Sequence, residues 1–180
     1  RMEIPLQKGL INMAFREITP EQLTANPFTL INRDWMLITA GDEQKHNTMT
    51  ASWGGVGELW GNYVSTVYIR PQRYTLEFVE KNDCYSLCFF DEEYRSALNF
   101  CGTKSGRDFD KDKETGFTPV FGDIAPYYEQ AKLVFLCRKL YRQDMTAESF
   151  LQPENLKRWY PQMDLHRMFI GEIVKVLERK

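Results

Sequence analysis

The chain has 180 residues, of which 43% are hydrophobic and 14% aromatic, and its formal net charge at pH 7 is −2. This length is typical of one domain with a single core, so we expect one domain over residues 1–180. The near-neutral charge disfavours nucleic-acid or membrane surfaces, because those depend on a basic excess. No stretch reaches the roughly 18 apolar residues that span a bilayer, and residues 1–5 lack the apolar core of a secretory signal. We therefore expect a cytoplasmic protein.

Six runs rich in β-branched and aromatic residues predict strands. They span residues 35–40, 48–53, 63–69, 84–90, 131–142 and 168–177. Helices are expected at 75–81, 91–100 and 147–156, and in the second of these Tyr94, Ala97, Leu98 and Cys101 share one face. Many strands with few short helices predict a mainly β fold, a barrel with helical insertions. No Gly-x-Gly-x-x-Gly follows a strand, so a dinucleotide-binding unit is not supported.

Four cysteines, Cys84, Cys88, Cys101 and Cys137, are spread along the chain without a C-x-x-C pair. A zinc site and a disulfide framework are both disfavoured by this spacing in a domain of this size. We expect reduced, mostly buried thiols and no metal. A thiol-based redox role is the alternative.

The segment 47–53 alternates in a way that gives a strand two different faces. One face carries Thr48, Thr50 and Ser52, and the other carries Asn47, Met49, Ala51 and Trp53. A row of three hydroxyls could bind the polar edge of a flavin ring or its ribityl chain, with Trp53 packed nearby. The alternative is the solvated face of an ordinary edge strand.

Residues 70–75 lie between a predicted strand and a predicted helix. Pro71 ends the hydrogen bonding of the strand and turns the chain into the helix. Arg70 and Arg73 could then bind a phosphate, together with the Thr75 hydroxyl and the free amides of the helix N-terminus. The alternative is a simple turn whose arginines are solvated or paired with acidic residues of that helix.

A second anion-binding candidate follows Cys101. Gly102 and Gly106 bracket Lys104 and Ser105, and Arg107 comes next. A loop of this composition can direct backbone N–H groups into a concave anion site. Three charged residues follow Arg107 and would tie the loop to its surroundings, namely Asp108, Asp110 and Lys111. The alternative is a solvated turn, but two such loops in one small domain favour a phosphate site, and the aromatic surface nearby favours FMN.

His166 precedes the last predicted strand. A single histidine is commonly structural. The functional alternative places it beside the reacting ring or a nicotinamide, where it can donate a hydrogen bond or a proton near neutral pH.

Taken in order, these segments resemble the flavin reductase-like family with an FMN-binding split barrel, and its flavoredoxin branch most closely. The likeness runs over residues 30–177 and rests on 47–55, 70–75, 89–94, Cys101 with Gly102, 105–108 with Lys111, and Asp164-x-His166 before 171–173. The resemblance implies a six-stranded antiparallel Greek-key barrel with added helices. It also implies a homodimer with FMN near the subunit interface, reduced by NADH or NADPH.

The resemblance places the catalytic His166 near the flavin and the nicotinamide. The cofactor-binding residues expected from the motifs and the resemblance are Asn47, Thr48, Met49, Thr50, Ala51, Ser52, Trp53, Arg70, Arg73, Thr75, Cys101, Lys104, Ser105, Gly106, Arg107 and Asp108. Three functions stay open: a flavin reductase that uses NADH or NADPH, a flavoredoxin-type electron carrier with a redox partner protein, and a binding module without turnover. FAD is an alternative to FMN. For the segment 147–161, with Trp159 and Tyr160, two roles stay open: a cover over the flavin or a part of the dimer interface.

Overall fold

An antiparallel sheet of eight strands forms the body of the computed structural model, which describes residues 14–180. Its strands are β1 (Phe15–Ile18), β2 (Met36–Gly41), β3 (His46–Ala51), β4 (Gly54–Leu59), β5 (Asn62–Ile69), β6 (Cys84–Phe89), β9 (Leu133–Asp144) and β10 (Arg167–Arg179). A separate two-stranded ladder joins β7 (Pro119–Val120) to β8 (Tyr127–Tyr128). Residues 1–5, considered above as a possible signal segment, lie outside the described residues.

The strand order shows where the barrel is split. The order is β3-β2-β6-β9-β10-β5-β4, with β1 paired to the C-terminal half of β10. The two ends of this order, β3 and β4, are joined only through Ser52 and Trp53. This is the mainly β, antiparallel split barrel with added helices that the resemblance implies, but the sheet has eight strands where the resemblance implies six.

All six predicted strands are confirmed, as β2, β3, β5, β6, β9 and β10, and β1 and β4 extend the sheet. The sequence does not mark β4 because three of its six residues are Gly54, Gly55 and Gly57, and glycine is depleted in strands. It forms a hairpin with β5 through Trp60 and Gly61, which both have positive φ (56° and 70°), as a two-residue hairpin turn requires.

Alternating residues of the strands face two separate hydrophobic clusters. On β2, Met36 and Ile38 belong to the cluster inside the barrel, whereas Leu37 belongs to the cluster on its outer face. On β9, Phe135 and Val134 are divided in the same way. The two clusters therefore fix the register of these strands, because a one-residue slip would exchange the two faces.

The helices are α1 (Pro27–Thr29), α2 (Tyr74–Lys81), α3 (Arg95–Thr103), α4 (Lys111–Thr115) and α5 (Pro153–Trp159). The α2 prediction is confirmed, and its Leu76 and Val79 join the inner cluster. The predicted helix at 91–100 begins as a 3-10 turn and continues as α3, whose Leu98 and Cys101 are buried as the spacing predicts. The predicted helix at 147–156 is divided: a 3-10 turn comes first, and Pro153 then begins α5, where a first-turn proline fits.

The cysteines are free thiols, and burial raises the pKa of all four. The pKa is about 11 for Cys88 and Cys101 and about 12 for Cys137, while Cys84 is half-buried. These thiols are poor nucleophiles at neutral pH, since the thiolate is the reactive form. Within residues 14–180, no helix has the length and apolar character needed to cross a membrane.

Candidate functional site

Strand pairing brings the separated sequence motifs to one end of the barrel. The end of β5 lies beside the start of β10, with Ile69 opposite Arg167, so the residues just after β5 meet those just before β10. A cavity of about 170 Å³ opens there. Its lining combines residues from three predicted segments with one residue that the sequence did not indicate, Tyr68: Met49, Thr50, Ala51, Ser52, Trp53, Tyr68, Arg70, Arg73 and His166.

Arg73 directly precedes the first turn of α2, and its guanidinium is a half-buried cation. Among the described residues, no side chain caps the N-terminus of α2. The Arg73 guanidinium donates to the carbonyl of Gly102 at 2.6 Å, and within residues 14–180 it forms no ion pair with a carboxylate. Burial, and then the charge of Arg70, lower its pKa. A half-buried cation beside the start of a helix that no described side chain caps is suited to bind an anion.

Arg70 has a different environment from Arg73. Its Nη1 lies 2.5 Å from Oδ2 of Asp164, and its Nη2 donates to the carbonyl of Trp159 at 2.9 Å. Gln72 also donates to Asp164, at 2.7 Å, and the Arg70 and Gln72 hydrogen bonds lower the pKa of that carboxyl. Arg70 therefore holds the segment after α5 against the barrel, and its guanidinium is already paired, unlike the free phosphate ligand expected from the sequence.

Lys111 and Arg73 both stabilise the C-terminal end of α3. The Lys111 ammonium donates to the carbonyls of Cys101 at 2.8 Å and Thr48 at 2.6 Å, and Arg73 donates to the next carbonyl of α3, at Gly102. Cations are favoured at helix C-termini, where carbonyls lack partners. Lys111 is 7% exposed, and burial lowers its pKa to about 8. It ties the loop to β3, as the sequence predicts.

Gly106 packs directly against β3. A Cβ at this position would overlap Oδ1 of Asn47, so only glycine fits without a shift. The buried Asn47 in turn donates to the Thr75 hydroxyl at 2.8 Å, in the first turn of α2. In the loop itself, the Ser105 hydroxyl accepts from the amide of Arg107 at 3.2 Å. Asn47 thus joins the two predicted anion-binding segments.

The remaining loop side chains face outward or are committed to the protein. Arg107 pairs with Glu77, and its guanidinium carbon lies 4.4 Å from the centre of the Tyr74 ring. Lys104 is exposed and lies over the ring of Phe109. Asp108 is also exposed, and the Cys101 side chain lies on the buried face of α3.

The structure corrects the prediction of three available hydroxyls on β3. The Thr48 hydroxyl is buried and lies 2.8 Å from the Thr39 hydroxyl on β2. The Thr50 hydroxyl donates to the carbonyl of Leu98 at 2.5 Å and holds α3 in place. Both serve the packing of the outer face, whereas Ser52 makes no side-chain hydrogen bond within residues 14–180. The alternation of the two faces is confirmed, but the sequence pattern does not show that α3 covers the face of Thr48 and Thr50.

Aromatic side chains pack around Trp53 and His166, which both line the cavity. Trp53 lies 5.1 Å from Trp159 in an edge-to-face arrangement and 5.4 Å from His166. The Tyr160 hydroxyl lies 2.7 Å from Nδ1 of His166, and the Tyr68 ring is 6.5 Å from the imidazole. Burial, and then the charge of Arg70, lower the pKa of His166 to about 4. His166 is therefore neutral at pH 7 and acts as a hydrogen-bonding group, not as a cation.

Most of the chain matches one known protein family. A protein-family model described as the flavin reductase like domain matches residues 28–180. The chain belongs to this family. No curated protein matches the sequence. In the described part of this flavin reductase-like chain, no group of three or more His, Cys, Asp or Glu is placed to hold a metal ion.

Solved structures share the fold of this flavin reductase-like domain at low sequence identity. One is an FMN-binding domain of a flavin reductases-like enzyme from Shewanella baltica, with 16% identity and a TM-score of 0.66 over 92% of this chain and 77% of that chain. Another is flavoredoxin from Methanosarcina acetivorans, with 21% identity and 0.63 over 82% and 69%. A third is the NADH:FAD oxidoreductase of Streptomyces globisporus, with 13% identity and 0.61 over 82% and 78%.

Proposed function

We propose that this protein binds FMN at the end of the barrel and uses it to accept a hydride from NADH or NADPH. The observation that carries the proposal is Arg73, a half-buried cation without an ion-pair partner in residues 14–180, beside the uncapped α2 N-terminus and an aromatic cavity. A phosphorylated planar ligand fits this arrangement, because its phosphate can bind Arg73 and the α2 N-terminus while its ring packs in the aromatic cavity. The FMN-binding neighbours of similar fold support the same ligand.

The phosphate end of the proposed site consists of Arg73, the first amides of α2 and the loop that contains Ser105. A phosphate there would gain charge-assisted hydrogen bonds and the favourable end of the helix dipole. Asn47 and Gly106 hold the loop against α2, and Lys111 holds α3 beside it. The ring end consists of residues around Trp53, with Ser52 offering a hydroxyl that makes no side-chain hydrogen bond in residues 14–180.

The chain's own residues would position the reactants. When bound, the flavin supplies the hydride chemistry, so the site needs no nucleophile and no strong base. Trp53 and Trp159 would limit water around the ring, and neutral His166 would offer Nε2 as a hydrogen-bonding atom while Tyr160 fixes its orientation through Nδ1. A neutral imidazole also avoids a second buried positive charge beside Arg70.

An electron carrier of the flavoredoxin type is the second candidate. One observation favours it: Trp159 packs against Trp53, and Arg70 holds the Trp159 carbonyl at 2.9 Å. An indole held beside Trp53, which lines the smaller cavity, would restrict the approach of a nicotinamide, whereas electron transfer between proteins needs no open stacking face. The two candidates therefore differ in their response to NADH and NADPH.

The visible absorption spectrum of the protein purified without added flavin tests the proposal. We expect flavin bands that bleach within seconds when NADH or NADPH is added without oxygen. Bands that persist until dithionite is added would support the electron carrier. A colourless protein that also fails to bind added FMN would contradict both candidates.

A further inference from the structure

A second, larger cavity borders the proposed ring site. Its volume is about 540 Å³, within the range of about 300–1,000 Å³ typical of small-molecule sites. It shares Ser52, Trp53 and Tyr68 with the smaller cavity. Its other lining residues come from the α1 region, β4 and the segments after β9 and α5: Pro27, Phe28, Ile31, Asn32, Gly54, Gly55, Val56, Met145 and Tyr160.

The two adjoining cavities differ in charge. The smaller one is lined by Arg70 and Arg73, whereas none of the described residues that line the larger one is charged. Its polar side chains are few, and the Tyr160 hydroxyl is already bonded to His166. Asn32 and Ser52 make no side-chain hydrogen bonds within residues 14–180, so each has donors available at the cavity wall.

We propose that the larger cavity binds the electron acceptor, and that this acceptor is a small, uncharged, planar carbonyl compound. The inference rests on the proposed function, because the cavity matters for electron transfer only if a flavin occupies the neighbouring site. Trp53, Tyr68 and Phe28 offer faces and edges against which a flat ring can pack. The Asn32 amide and the Ser52 hydroxyl, which both line the cavity, supply donors for a carbonyl oxygen.

The absence of charge in the described lining selects against anions. Moving a carboxylate or a phosphate into an apolar cavity without a cationic partner costs several kcal/mol. A neutral carbonyl compound avoids that cost and gains from burial of its ring. Its reduction takes one hydride from the reduced flavin, which nicotinamide or dithionite has supplied with electrons, and one proton from solvent, so the carbonyl becomes an alcohol and the flavin is oxidised.

Acetophenone and benzoate test this directly, because they are similar in size and shape and differ in charge. Isothermal titration calorimetry with the flavin-loaded protein measures binding of each compound without turnover. We expect acetophenone to bind at least about tenfold more tightly than benzoate, which corresponds to about 1.4 kcal/mol. Equal or tighter binding of benzoate, or no binding of acetophenone, overturns the proposal.

A charge substitution at the cavity wall sharpens the test. Asn32 lines the cavity, is exposed and makes no side-chain hydrogen bond within residues 14–180, so Asn32→Lys should fold. We expect this variant to bind benzoate about tenfold more tightly than the unaltered protein, while Gln44→Lys, on an exposed turn outside the cavity, leaves both affinities unchanged. An unchanged preference in Asn32→Lys contradicts the assignment of the cavity.

Two further measurements separate this proposal from its alternatives. Flavin content, read from the absorption spectrum of each sample, shows whether the neighbouring site is intact. If a sample with full flavin content does not bind acetophenone, the cavity proposal is overturned and the proposed flavin site is not. Sedimentation at several protein concentrations shows whether a second copy fills the cavity. If acetophenone binds only to monomer, the cavity is a contact between copies, and that result also overturns the proposal.

Discussion

The Tyr160 hydroxyl lies 2.7 Å from Nδ1 of His166, and the Arg70 guanidinium lies 5.1 Å from the centre of the Tyr160 ring. The hydrogen bond between Tyr160 and His166 connects the segment after α5 to the residue that precedes β10. It also fixes the imidazole ring, because the partner of one ring nitrogen determines the role of the other. The hydrogen bond therefore holds His166 in one orientation, while burial keeps it neutral near physiological pH.

The protonation of His166 can be measured directly, because the chain has only two histidines, His46 and His166. Burial lowers the pKa of His166 to about 4, so we expect one imidazole in the NMR spectrum to stay neutral from pH 8 down to about pH 5. His46→Gln assigns the two signals. A midpoint for His166 at the ordinary value of about 6.5 would contradict the burial that the structure shows.

The same pKa predicts a pH dependence of stability. In the unfolded chain His166 takes up a proton at about pH 6.5, whereas in the folded chain it does so only near pH 4. Its contribution is thus fully present above pH 6.5 and is lost as the pH falls from 6.5 to 4, by at most about 3 kcal/mol. Denaturant unfolding of the protein and of His166→Gln at several pH values measures this. We expect the difference between their free energies of unfolding to become smaller as the pH falls from 6.5 to 4.

Arg70 and Arg73 should have separable roles, although the sequence presents them as one pair. Arg73→Met removes the cation without an ion-pair partner in residues 14–180 from the α2 N-terminus, so we expect FMN affinity to fall by about tenfold to a hundredfold, as loss of a charge-assisted hydrogen bond implies. Fluorescence titration with FMN and with riboflavin measures it. The loss should be confined to FMN, because riboflavin has no phosphate.

Arg70→Met should act instead through the segment that carries Trp159 and Asp164. We expect a smaller loss of FMN affinity, shared equally by riboflavin, and faster proteolysis near residues 159–164. Arg142→Met, an exposed arginine on β9, serves as the control for both variants. A phosphate-selective loss in Arg70→Met would show that Arg70 leaves Asp164 to bind the ligand.

Gly106 should tolerate no side chain. Gly106→Ala places a Cβ against the amide of Asn47, which must then move away from Thr75. We expect weaker FMN binding and a loss of about 1–3 kcal/mol in the free energy of unfolding, as for overpacking of a closely packed site. Gly57→Ala is a matched control, because nothing lies within 4 Å of a Cβ at that position of β4. Equal effects of the two substitutions would contradict the close approach.

The sequence predicted the barrel well because strand propensity and alternation are local signals, and six runs of this kind became β2, β3, β5, β6, β9 and β10. It also found the two loops that meet at the α2 N-terminus. It could not predict the partner of Arg70, because Asp164 lies 94 residues away and only the pairing of β5 with β10 brings them together. Nor could it show that Thr50 bonds to α3, since a hydroxyl has the same appearance in a sequence whether it faces a ligand or a helix.

Lys111 gives the last prediction, since it is a buried cation that binds two carbonyls and forms no ion pair with a carboxylate in residues 14–180. Burial lowers its pKa from 10.5 to about 8, so between these values the unfolded chain holds a proton that the folded chain has released. Stability should therefore rise with pH from about 8 to 10.5, by up to about 3 kcal/mol. We expect Lys111→Met to lose this rise and Lys113→Met, an exposed neighbour, to keep it. Guanidinium unfolding of the three proteins at pH 7.5, 9 and 10.5 measures the slopes, and parallel slopes would contradict the burial of this charge.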